Sequence, residues 1–78
     1  MTKDANAITQ AESLLNRAYE IIYNGEFAGT AVSQLFDAYS RASYCYTVQN
    51  GRVTVRTDAT RSELIPVIKE LDAILKSF

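Results

Sequence analysis

Apolar residues recur at helical spacing early in the chain. Ile8, Ala11, Leu15, Ala18 and Ile22 form one stripe, which Ala7, Leu14 and Ile21 widen on one side and Tyr19 and Tyr23 on the other. This pattern predicts a helix from about residue 5 to Tyr23, with an apolar arc of about 200° at 100° per residue. So wide an arc suits a central helix touched by two further helices and a hairpin, which is the favoured reading; the alternative is that its Tyr19/Tyr23 edge meets another molecule, and the pair reads equally as core rim or as interface. Asn24-Gly25 ends the helix, because glycine enters the left-handed region without a Cβ penalty. Glu26 to Gly29 read as a short connection. A second helix is expected from Thr30, whose hydroxyl suits a cap, to about Ala42, with Ala31, Val32, Leu35, Phe36 and Tyr39 on one face. Asp37 and Arg41 fall one turn apart on its outer side, and Phe27 and Phe36 read as core.

The periodicity then changes from helical to alternating. Tyr44 to Gln49 and Arg52 to Thr57 are β-branched and aromatic runs on either side of Asn50-Gly51, the dipeptide that best supplies positive φ at both centres of a type I′ turn. A two-residue turn sets the register: Gln49 opposite Arg52, Val48 opposite Val53, Tyr46 opposite Val55 and Tyr44 opposite Thr57. One face then carries Tyr44, Tyr46, Val48, Val53 and Val55, and the other Cys45, Thr47, Gln49, Arg52, Thr54 and Arg56. Continuation of the second helix through Ser43 and Tyr46 also keeps its spacing, but the turn needs two arms. Thr60-Arg61-Ser62-Glu63 has the form of a capping box. Pro66 argues for a start nearer Ser62, closer to the first turn where a missing N–H is tolerated. The last helix runs towards the C-terminus with Leu64, Ile68, Leu71, Leu75 and Phe78 on one stripe and Val67 and Ile74 beside it.

The expected fold is therefore a small single α+β domain over residues 1–78, in the order α-α-β-β-α, with one antiparallel β-hairpin packed on three helices. The chain of 78 residues is near the lower size for a self-sufficient core, and Cys45 is its only cysteine, so no internal disulfide can staple it. A lone thiol, no apolar run of membrane-spanning length and no signal-peptide layout at the start together predict a cytoplasmic location.

Charge is unevenly distributed although the net charge is only −1: residues 1–37 carry −3, residues 38–62 carry +3 and residues 63–78 carry −1. The hairpin is the basic part of an acidic protein. The chain has no histidine, which removes the usual general base near neutral pH and the commonest metal ligand. Glu70 and Asp72 point to different sides of their helix, and Glu12 and Glu20 are two turns apart, so no paired-carboxylate site is expected. Gly25, Gly29 and Gly51 form no phosphate loop. Cys45 is expected opposite Arg56, whose charge favours a thiolate, but with no base or second thiol it reads as an inert packing residue. No catalytic group, metal or cofactor is expected.

These exclusions favour a non-enzymatic interaction module that covers a surface on a larger protein or ribonucleoprotein complex. In size and character it would suit a phage or mobile-element inhibitor of a host defence complex, of the anti-CRISPR kind. On that reading Tyr19 and Tyr23 are anchors, and Glu12, Glu20 and Asp37 enter a partner's nucleic-acid groove. Two alternatives stand beside it. One is a small nucleic-acid-binding regulator using Arg52, Arg56 and Arg61, less favoured because Tyr44 and Tyr46 fall on the face opposite the cations. The other is a structural homo-oligomer, such as a homodimer, joined through helix stripes or hairpin edges.

Overall fold

The computed structural model describes residues 5–25 and 29–78. It contains α1 (Ala5–Asn24), α2 (Thr30–Arg41), a 3-10 turn (Ala42–Cys45), β1 (Tyr46–Gln49), β2 (Arg52–Val55) and α3 (Arg61–Leu75). The order is helix, helix, hairpin, helix, as the hydrophobic pattern predicts. Phe27 and most of the Glu26–Gly29 connection lie outside the described residues. No helix among the described residues is long and apolar enough to cross a membrane.

α1 is the central element and packs against α2, α3 and β2. Its buried line is Ala7, Ala11, Leu15, Ala18 and Ile21, while Ile8, Leu14, Tyr19 and Ile22 flank it half-buried. The small residues let the neighbouring elements approach closely, and the larger ones fill the sides. Leu15, Leu35, Leu64 and Leu71, with Val53 and Val55, form the fully enclosed centre. Gly25 closes α1 with φ 77°, the left-handed conformation its position requires.

α2 differs from expectation at its start and along its face. Gly29, not Thr30, is the N-cap, and no side chain caps the helix. The buried line is Leu35, Ala38, Tyr39 and Ala42, and Phe36 stands 47% exposed rather than in the core. Ala38 and Ala42 turn the helix so that its small residues meet the core, which carries Phe36 to the rim. Arg41 makes no ion pair with the Asp37 carboxylate; it reaches Glu70 Oε2 on α3 at 2.7 Å.

Instead of entering the strand at Tyr44, the chain adds a tight 3-10 turn through Cys45. Tyr44 therefore does not pair with Thr57, and its hydroxyl donates to the Glu63 carbonyl at 3.2 Å. Cys45 is carried from the expected outer face into the core, where it is fully buried. From Tyr46 onward the expected register holds: Tyr46 pairs with Val55, Thr47 with Thr54, Val48 with Val53 and Gln49 with Arg52. Asn50 (φ 55°) and Gly51 (φ 75°) supply the two positive φ angles of the turn. Val53 and Val55 are buried on the inner face, whereas Val48 is 41% exposed. The capping box at Thr60 is complete, so α3 begins at Arg61 and carries Pro66 in its interior, at an exposed position.

Candidate protein-binding surface and hairpin edges

Tyr19 and Tyr23 are one turn apart on α1, and their rings meet with centroids 4.7 Å apart. Tyr19 in turn faces Tyr39 of α2 at 6.3 Å, and Tyr39 faces Tyr46 of β1 at 5.0 Å. Four of the five tyrosines thus form one continuous row from the core to the surface. The inner end is fixed by the Tyr46 hydroxyl, which donates to the Tyr39 carbonyl at 2.8 Å. Burial pushes the pKa of both the Tyr39 and Tyr46 phenols above the ordinary value, so both stay protonated more firmly than a free phenol. The outer end is open: Tyr23 is 61% exposed. It borders a shallow depression of about 710 Å³ that Tyr19, Arg17 and Glu20 also line, with Gly51 of the turn and Phe78 at the C-terminus.

The other acidic residues expected beside this surface are elsewhere. The Glu12 carboxylate accepts the Val55 N–H at 3.0 Å. Asp37 borders a separate depression between α2 and α3, with Gln34, Arg41 and Glu70. The structure therefore unites Tyr19, Tyr23 and Glu20 and separates Glu12 and Asp37 from them.

Glu12 belongs instead to a feature the hydrophobic pattern does not disclose. In this register the N–H and C=O groups of Val53 and Val55 point away from β1. Asn16 of α1 meets Val53 with both halves of its amide: Nδ2 donates to the Val53 carbonyl at 2.9 Å, and Oδ1 accepts the Val53 N–H at 2.9 Å. The second Nδ2 proton goes to the Glu12 carbonyl at 2.9 Å. Asn16 and Glu12 together occupy the outer edge of β2 as a further strand would. Among the described residues, the outer edge of β1 has no such cover, and β1 packs mainly against β2 and the 3-10 turn.

On the basic side, Arg56 is paired with Asp58 at 3.1 Å, Arg52 lies exposed beside the turn, and Arg61 opens α3. Burial pushes the Cys45 thiol above its ordinary value against a smaller opposite effect of the Arg56 charge, and the thiol donates to the Ala42 carbonyl at 3.0 Å. Arg56 is the expected neighbour of Cys45, its backbone N–H donating to the Cys45 carbonyl at 2.9 Å, but burial of the thiol outweighs the arginine's charge. Among the described residues, no group of three or more cysteine and carboxylate side chains comes together.

Comparisons with protein-family models, with curated proteins and with solved structures match nothing. The functional reading therefore rests on the surface of this chain alone.

Proposed function

We propose that the protein is a non-catalytic binding module that docks on a larger protein through the exposed end of its tyrosine row. The observation that supports this reading is Tyr23. It is a large aromatic, 61% exposed, held against Tyr19 at the edge of an open depression rather than folded into the core beside it. Tyrosine offers broad contact area at little conformational cost and keeps a hydroxyl for a wet rim, which is why it recurs at binding hot spots. The row behind it is anchored through Tyr39 and Tyr46, so the surface is already ordered before a partner arrives.

Aromatic contact supports this reading better than acidic mimicry of a nucleic acid. Of the three carboxylates expected to act together, only Glu20 borders the depression, and Arg17 lies beside it. A host defence complex remains one partner class that fits, as a protein surface to be covered.

The test is binding to a partner captured from the native cell and then purified. Tyr23→Ala is expected to weaken binding by about 30-fold, the ~2 kcal/mol typical of a hot spot, with the melting temperature unchanged. Ser40→Arg, on the exposed side of α2, is expected to bind as the wild type does. Equal binding by Tyr23→Ala and wild type rejects the tyrosine surface as the docking site.

A further inference from the structure

The two margins of the hairpin are treated differently. Asn16 meets both outward groups of Val53 and Glu12 accepts the outward N–H of Val55, and among the described residues no equivalent side chain reaches the outward groups of Tyr46 and Val48. β1 also lacks what usually protects a strand edge, since Tyr46-Thr47-Val48-Gln49 contains no charge and no proline and pairs with β2 without a bulge. Val48 is 41% exposed, and Tyr44, just before the strand, is 49% exposed.

We propose that β1 is a self-pairing edge, through which two copies of the chain form a four-stranded antiparallel sheet about a two-fold axis at Thr47. The occupant follows from the register. With Thr47 opposite itself, the outward N–H and C=O groups of Tyr46 and Val48 in one copy meet those of Val48 and Tyr46 in the other. Within Tyr46–Val48 each directly opposed pair is then a favourable one, tyrosine beside valine on the inner face, twice, and threonine beside threonine on the outer face, and only Gln49 falls beyond the partner's strand, opposite Cys45. Centring on Val48 would place Tyr46 opposite the turn residue Asn50, and centring on Tyr46 would place Val48 opposite Tyr44 in the 3-10 turn. Charge does not oppose the assembly. Arg52 is on β2 and Arg56 directly follows it, and the two β2 strands would be three strand spacings apart, about 14 Å, beyond the ~8 Å screening length at physiological salt.

This inference does not rest on the tyrosine surface, because neither Thr47 nor Thr54 borders that depression. It is tested by sedimentation equilibrium of the full chain up to millimolar concentration. Wild type is expected to show a monomer–dimer equilibrium. Thr47→Lys, which opposes two like charges at the axis, is expected to weaken dimerisation at least tenfold, and Thr54→Lys, on the same face of β2, to leave it unchanged. In a Cys45→Ala background Thr47→Cys is expected to oxidise to a covalent dimer and Thr54→Cys to stay monomeric, since opposed non-hydrogen-bonded residues have the Cα spacing a disulfide needs. A chain that is monomeric throughout overturns the inference. So does a dimer that Thr47→Lys leaves intact or that the position 47 cysteine does not link.

Discussion

Asn16 is a polar residue on an otherwise well-packed helix, and its amide is used on both sides. Its donor and acceptor meet the carbonyl and N–H of Val53, a residue whose side chain is fully enclosed. Removing such a partner strands two backbone groups at once, and each stranded group costs more than the hydrogen bond itself contributes. Asn16→Ala is therefore expected to destabilise the fold by about 1–3 kcal/mol, read from the urea midpoint at constant m-value. A change of less than ~0.5 kcal/mol, as for an ordinary surface site, would show that the contact is dispensable. Glu12 shares the same edge through Val55, so the two positions are coupled and their double variant should not be additive.

At the scale of elements, the start of α3 is built to be pH-sensitive. The Glu63 carboxylate accepts the Thr60 N–H at 2.9 Å and lies 3.2 Å from the Thr60 hydroxyl, and these bonds hold its carboxyl below the ordinary range. A carboxyl lowered in the folded state adds stability above its unfolded value of about 4.3 and loses that contribution as pH falls through the folded value. Wild type is thus expected to be more stable than Glu63→Gln at neutral pH, with the difference between their thermal midpoints closing on acidification. A difference independent of pH would rule out the charge as the source.

The hairpin register was legible because Asn-Gly dictates the turn and alternation dictates the rest; the capping box was legible because its four residues act locally. The 3-10 turn was visible only as the helical continuation that the turn's need for two arms argued against, since Tyr44, Cys45 and Tyr46 also alternate as a strand would; the tighter path packs against both α2 and α3. Phe36 was misplaced for a related reason. Spacing identifies a stripe, while the small residues Ala38 and Ala42 decide which part of it faces inward. The roles of Asn16 and Glu12 were hidden altogether, because a polar residue on a helix looks the same whether it faces water or a neighbouring strand. Of the site, the Tyr19/Tyr23 edge was visible as excess apolar arc, but its continuation through Tyr39 and Tyr46 joins three elements that no local pattern relates.

The whole molecule depends on α1. At typical values per residue, 78 folded residues have a stability of about 4–12 kcal/mol. Leu15, fully buried where α1 forms the core, is worth about 2–5 kcal/mol against alanine. Leu15→Ala is accordingly expected to lower the melting temperature by about 8–40 °C at ~4–8 °C per kcal/mol, with helix and tyrosine signals lost together. Separate transitions would show that the hairpin and the helices fold as distinct units.

The clasp that Asn16 and Glu12 place on β2 also limits growth. A ribbon open along both margins could add neighbours without end, as fibre-forming strands do. Here one margin is already closed, so two such ribbons joined along the other, as proposed above, would leave a closed border on either side. Association along that route would stop at a pair, because a helix stands in for the next strand.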